Sequence, residues 1–221
     1  MTPGDNASRE SVSGDARALG IVLSPSLIAI APESREALAR VRASSGEWVH
    51  ADIIEGRYRG QPGIGWEELA RLARIPGVRL DVHLMVDDLA EALARVPRGV
   101  SRITIQADFH PAAFRWVAAA RHRAEEVWMA WDGGGELSID PDWVRLTDGV
   151  LMMLTPPGRA GYAAELQRIS GYPLRADHGE GGGVRGVDGG VLPAHFGALA
   201  GHGVRYVVMG RAYADLGSEP R

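Results

Sequence analysis

Two histidines and two aspartates stand at alternate positions in two short apolar runs. His50 and Asp52 lie in WVHADII, and Asp81 and His83 lie in RLDVHLM, each pair separated by one residue. In an extended strand, residues i and i+2 leave the same face, so each pair projects together. Met85 shares the face of Asp81 and His83. Another carboxylate, Asp188, ends an apolar run and is followed by Gly189 and Gly190. If these faces point inward, His50, Asp52, His83 and Asp188 form a set suited to one borderline divalent ion, such as zinc, iron, manganese or cobalt. Taken singly, the same residues have plainer uses. A lone histidine near a strand end is commonly a packing or surface residue, and an aspartate before two glycines commonly makes a turn.

Composition narrows the chemistry from the other side. The chain has no Cys, which excludes disulfides, thiolate nucleophiles and Cys-based metal sites. It also has no Lys, since all 24 basic residues are Arg, and that excludes a Schiff base to substrate or pyridoxal phosphate. What remains is chemistry by His, Asp, Glu, backbone amides and a metal. A net charge of −4 gives no electrostatic footprint for nucleic acid or an anionic membrane, and neither is expected as a partner. No apolar run approaches the roughly 18 to 20 residues of a membrane span. The N-terminus is polar, without the apolar stretch of a secretory signal, so the expected compartment is the cytoplasm.

The elements that must position these residues follow from the hydrophobic pattern. Apolar runs of strand length at Ile21–Ile28, Trp48–Ile54, Val78–Met85, Ile103–Ala107, Val127–Trp131, Gly149–Leu154, Val184–Val187 and Tyr206–Met209 alternate with segments at helical spacing. The helical segments are Glu33–Ala43, Trp66–Arg74, Asp88–Val96, Ala112–Arg121, Ala163–Ile169 and Ala194–Ala200, with only a weak helical pattern after the fifth strand. Strict alternation implies βαβ units and a parallel sheet, and eight strands over about 190 residues imply a (β/α)8 barrel. The barrel is expected to span residues 20–216, between a disordered tail at 1–19 and a short tail at 217–221. Two features fit less well: a Gly-rich insert at Asp177–Gly183, and too few residues after the last strand for a full closing helix. An uncovered barrel side predicts either a homo-oligomer or a docked N-terminal tail.

Several strings along these elements resemble the ribulose-phosphate 3-epimerase family. SPSL at Ser26, WVHADIIEG, RLDVHLMV, VLMMLTPPG, VDGGV and YVVMGRA match its first, second, third, sixth, seventh and last strands, in family order and at near-family spacing. The resemblance implies a 1,1-proton transfer at C3 of a ketopentose phosphate, by default D-ribulose 5-phosphate. It implies a metal on His50, Asp52, His83 and Asp188, and an acid/base pair of Asp52 and Asp188 from roughly opposite sides of the barrel. It further implies that Met85 and Met153 wall the enediolate, that Ser26 and His83 meet substrate, and that phosphate sits near Gly158, Gly161, Gly189, Gly190 and Gly210. Asp81 has two readings, orienting a metal-ligating histidine or a purely structural role.

The departures cluster in the loops. The family's Met-Asp-Gly after strand two is Ile54-Glu55-Gly56, its fourth-strand His-x-Glu is Gln106-Ala107-Asp108, and its fifth-strand Asn-Pro is Asp132-Gly133. Loop six reads Pro156 to Tyr162 as PPGRAGY, and Arg211 replaces a small Ser beside the phosphate. The metal and acid/base set is whole while the substrate loops are rewritten. That contrast leaves open a pathway-specific epimerase or isomerase acting on another ketose phosphate or modified sugar, or a barrel that binds a sugar phosphate without turning it over.

Overall fold

A computed structural model describes residues 3–110, 112–132, 146–171 and 183–216. Eight parallel strands form one sheet: β1 (Val22–Pro25), β2 (Trp48–Ile54), β3 (Arg79–Met85), β4 (Val100–Gln106), β5 (Ala124–Trp131), β6 (Gly149–Met153), β7 (Val184–Asp188) and β8 (Tyr206–Met209). The hydrogen-bonded order runs β1-β8-β7-β6-β5-β4-β3-β2. A single parallel bridge between Ser26 and His50 joins the two ends, so the sheet is a nearly closed (β/α)8 barrel.

Helices α2 (Pro32–Ser44), α3 (Trp66–Leu72), α4 (Leu89–Arg95), α5 (Val117–Arg121), α6 (Phe196–Gly201) and α7 (Arg211–Ala214) follow their strands on the outside. Asp88 caps α4 by accepting the backbone N–H of Glu91 at 2.9 Å, which satisfies one of the free donors of the first turn. The segment expected to be helical at 163–169 is instead a 3-10 turn, Leu166–Gly171. The weakly helical connection after β5 and the Gly-rich insert fall outside the described residues, apart from Leu146 and Gly183, as does the tail at 217–221. Among the described residues no helix is long and apolar enough to cross a membrane.

The alternation within each strand divides the core in two. Outward residues such as Val49, Ala51, Ile53, Val82, Leu84, Ile103 and Ile105 meet the helices in one large apolar cluster. Inside the barrel, Trp48, Trp128, Met153, Tyr206 and Val208 form a second cluster. Arg102 threads through it, its guanidinium 4.0, 3.8 and 4.3 Å from the ring centres of Trp48, Trp128 and Tyr206. Burying that charge is tolerable because the ring faces attract it while Asp81 and Glu126 accept its N–H groups at 3.4 and 2.7 Å.

The N-terminus departs from the expectation of a disordered tail. Residues Pro3–Ala18 form a helix, α1, with Val12, Ser13 and Ala16 buried. It docks where the closing helix is short, since α7 has only four residues. Arg9 stacks over the ring of Tyr213 at 5.4 Å and donates to the Ala214 carbonyl at 3.3 Å, while Ser13 accepts from Arg42 at 3.4 Å. A tail of charged and small residues gives only a weak apolar signal in isolation, so its helix depends on the barrel side it covers. Deleting residues 1–18 uncovers Tyr213 and the Val12 site, and is expected to lower stability by about 2–3 kcal/mol. Urea unfolding of the truncated chain measures this directly, and an unchanged midpoint would mean that α1 does not dock in solution.

Candidate active site and metal centre

The parity of β2 and β3 carries the candidate residues into the barrel. Their register sets His50 beside Asp81 and Asp52 beside His83. β7 enters from three strands away, across β1 and β8, and places Asp188 at its C-terminal end. One ligating atom from each of His50, Asp52, His83 and Asp188 then lies within 4.8 Å of the others. His50, Asp52 and His83 are buried, and Asp188 is partly open to a cavity of about 770 Å³ at the barrel mouth.

Hydrogen bonds orient both rings. His50 Nδ1 donates to Asp81 Oδ2 at 3.0 Å, which leaves Nε2 facing Asp52 Oδ1 at 3.1 Å. Asp81 is itself held by Thr104 Oγ1 at 2.8 Å, the Tyr206 hydroxyl at 2.9 Å and Arg102. His83 Nε2 donates to Gln106 Oε1 at 2.7 Å. Its Nδ1 is buried without a hydrogen-bond partner among the described residues, 3.3 Å from Asp52 Oδ1 and 3.9 Å from Asp188 Oδ2. A buried imidazole lone pair aimed at two carboxylates is costly unless a cation stands among them. The donor set of two imidazole nitrogens and two carboxylates, with the far side of each ring hydrogen-bonded, therefore fits a divalent ion.

The electrostatics of the protein alone point the same way. Burial pushes Asp188 up to about 6, and the charge of Asp52 adds to the effect. Burial would also raise Asp52, but His50 and His83 outweigh it and hold that carboxyl well below the usual range. His50 moves in the opposite sense: burial disfavours its charge, yet Asp52 and Asp81 together raise it well above its ordinary value. Two neighbouring carboxyls thus differ sharply in proton affinity, as an acid/base pair requires.

The other expected residues gather around the same cavity. Ser26 donates to Asp52 Oδ2 at 2.8 Å, so its hydroxyl is a brace for the carboxylate as well as part of the lining. Met85 and Met153 are both buried and both line the cavity, so core packing and site wall coincide there. Gly158, Gly161, Gly189, Gly190, Gly210 and Arg211 line it too. Gly189 has φ +107°, and a Cβ there would come 2.2 Å from Thr155 Oγ1, so only glycine fits. Gly158, at φ +70°, packs against the Tyr58 carbonyl, which ties loop six to the loop after β2.

Gln61, His195 and Asp215 also line the cavity without having been singled out in the sequence. Nor were the supporting residues Thr104 and Tyr206, and Gln106 stood out only as a departure from the family's fourth strand, although a signal existed. Residues 102 to 106 read RITIQ, with polar residues at 102, 104 and 106 alternating with isoleucine. That parity alone would have placed Arg102, Thr104 and Gln106 inside the barrel.

Comparison with known proteins gives the family and the fold. The sequence model of the ribulose-phosphate 3 epimerase family matches residues 22–214. The chain is 27% identical over 205 residues to the chloroplastic ribulose-5-phosphate-3-epimerase of Arabidopsis thaliana, covering 87% of this chain and 71% of that one. It is 26% identical over 203 residues to the ribulose-phosphate 3-epimerase of Rhodobacter capsulatus, covering 90% and 88%. Among solved structures it superimposes on phosphoribosyl anthranilate isomerase from Thermus thermophilus with TM-score 0.59 at 14% identity, covering 87% of this chain and 88% of that one. A 3-keto-L-gulonate-6-phosphate decarboxylase from Vibrio cholerae gives 0.55 at 15%, covering 90% and 94%. At these identities the structural likeness speaks for the barrel alone.

Proposed function

The chain belongs to the ribulose-phosphate 3-epimerase family, and from that premise we propose that it is a metal-dependent 3-epimerase of a ketose phosphate, with D-ribulose 5-phosphate and D-xylulose 5-phosphate as the default pair. The observation that carries this reading is the complete two-histidine, two-aspartate cluster at the cavity floor. His50, Asp52, His83 and Asp188 would hold a divalent ion (zinc, iron, manganese or cobalt), which would supply Lewis-acid stabilisation of the negative charge that develops on the substrate oxygens.

The chain's own groups do the rest. Epimerisation needs a base on one face of C3 and an acid on the other. Asp52 and Asp188 come from strands three apart and have proton affinities pushed in opposite directions, so Asp188 takes up a proton far more readily than Asp52. Ser26 keeps the Asp52 carboxylate in place, and His83 stands between the two carboxylates. Met85 and Met153 give the enediolate an apolar, polarizable wall. Backbone at Gly189, Gly190 and Gly210, together with Gly158 and Gly161 of loop six, receives the phosphate. A panel of ketose phosphates in deuterated water, followed by NMR, tests the proposal. Deuterium is expected at C3 of the true substrate, and no exchange into any of the panel would overturn the reading.

One observation bears on which substrate is accepted. Arg159 and Arg211 both line the cavity, and neither has a carboxylate partner among the described residues. A guanidinium can bind phosphate in a bidentate manner, which the small Ser expected at position 211 cannot. If the Arg211 side chain binds phosphate, Arg211→Ser is expected to raise KM severalfold or more with the metal retained. Improved turnover of D-ribulose 5-phosphate after the same change would instead mean that Arg211 blocks the ordinary site and that the natural substrate differs. Steady-state kinetics on both pentulose phosphates separates the two.

A further inference from the structure

We propose that Gln106 is a positioning residue that fixes which nitrogen of His83 faces the metal centre, and that Asp108 locks the Gln106 amide in the orientation this requires. The inference rests on the reading of His83 as a metal ligand and adds the device that makes it one.

A neutral imidazole carries its proton on one nitrogen or the other, and only the bare nitrogen can bind an ion. His83 is fully buried, so solvent does not decide between them. Its Nε2 lies 2.7 Å from Gln106 Oε1, and its Nδ1 points at Asp52 and Asp188. An amide carbonyl only accepts, so the proton belongs on Nε2 and the lone pair on Nδ1. A glutamine amide, however, has nearly the same shape when turned over. Turned over, it would offer its NH2 to Nε2, drive the ring proton to Nδ1, and point that proton into the ion's place.

Asp108 removes the ambiguity. Its Oδ2 accepts a hydrogen bond from the Gln106 NH2 group, and its Oδ1 accepts the backbone N–H of Asp132 at 3.2 Å. A carboxylate that is accepting at both oxygens cannot take an amide carbonyl in place of the NH2. The polarity therefore runs without a break from Asp132 N–H to Asp108, from the Gln106 amide to its carbonyl, and from His83 Nε2 to the free Nδ1. Gln106 sits at the end of β4, with no exposed surface. His50 is oriented by a carboxylate, Asp81, for which no turned-over form exists. Gln106 alone of the two orienting groups needs a lock, and Asp108 stands two residues along the chain to supply it.

The test uses the full chain and two measurements. In metal-free protein with 15N-labelled histidine, NMR reads the tautomer of His83, assigned with a His83→Gln spectrum. Zinc affinity is then measured by chelator competition. The parent should show the Nε2–H form. Gln106→Leu should give a mixed or reversed tautomer and a zinc affinity roughly 10- to 100-fold weaker. Gln106→Glu, which accepts from His83 with one oxygen while the other shares a proton with Asp108, should restore the Nε2–H form and bring the affinity back to within severalfold of the parent. Asp108→Ala, on a partly exposed loop, should shift the tautomer and weaken zinc binding without removing any group that touches His83. Unchanged tautomer and zinc affinity in both Gln106→Leu and Asp108→Ala would overturn the proposal. If Gln106→Leu fails to fold, Asp108→Ala decides alone. A parent that binds no zinc would overturn the ligand role of His83, while the tautomer spectra would still support or overturn the lock.

Discussion

Replacing Asp188 by Asn is expected to lower epimerisation by roughly 10²- to 10⁴-fold, the usual cost of losing a general acid/base. The side chain keeps its size, so the cavity and the glycine turn behind it are preserved, while the proton-carrying group is gone. Stability of the metal-free protein should move the other way. Burial and Asp52 raise Asp188 to about 6, against 3.8 for an unperturbed aspartate, so the folded chain binds this proton more tightly than the unfolded one. The contribution of the group to stability is therefore fully present below about pH 4 and is lost as pH rises through about 6. An amide loses nothing over that range. Metal-free Asp188→Asn should be more stable than its parent at pH 8, by about 1–3 kcal/mol, with the gap closing as pH falls. Turnover assays and urea unfolding in chelator check the two halves. Near-normal turnover would end the two-carboxylate mechanism, and a variant no more stable at pH 8 would show that the buried carboxylate carries no penalty.

Removing the ion should have the second large effect. Protein supplied with zinc, manganese, iron or cobalt is expected to retain close to one ion per chain, and a chelator should abolish turnover reversibly. If the ion is present at about a thousand times its Kd, its loss also removes about 4 kcal/mol of stability, or a fall in Tm of roughly 10 °C. Binding should release protons. Although burial disfavours its charge, His50 is raised well above its ordinary value by Asp52 and Asp81, so in metal-free protein an incoming ion must displace a proton. Affinity should accordingly weaken as pH falls. Calorimetry in buffers of different ionisation enthalpy counts the protons, and elemental analysis counts the ions. No retained ion together with a Tm indifferent to chelator would mean that the four side chains serve another purpose.

Much of this protein was legible in the residues themselves. The i, i+2 spacing of His50 with Asp52 and of Asp81 with His83 is a local property of extended backbone, so their common faces followed from the pattern alone. The order of apolar runs likewise determined a parallel barrel, because βαβ connections allow few alternatives. Three things depended on the closed sheet. That Asp188 reaches the cluster from β7 is a matter of curvature, which brings residues more than a hundred positions apart to within ligand distance. That α1 is a docked helix rather than a tail is decided by the barrel side it covers, since Arg9 and Val12 find Tyr213 and the core only once β8 is in place. The direction of the two histidine rings was only partly legible, since Asp81 was a candidate to orient one of them while Gln106 was not. It depends on Asp81 and Gln106, whose partners Thr104, Tyr206 and Asp108 come from other strands and loops. Spacing along a strand selects a face, but a ring nitrogen is aimed by the side chain that the neighbouring strand sets beside it.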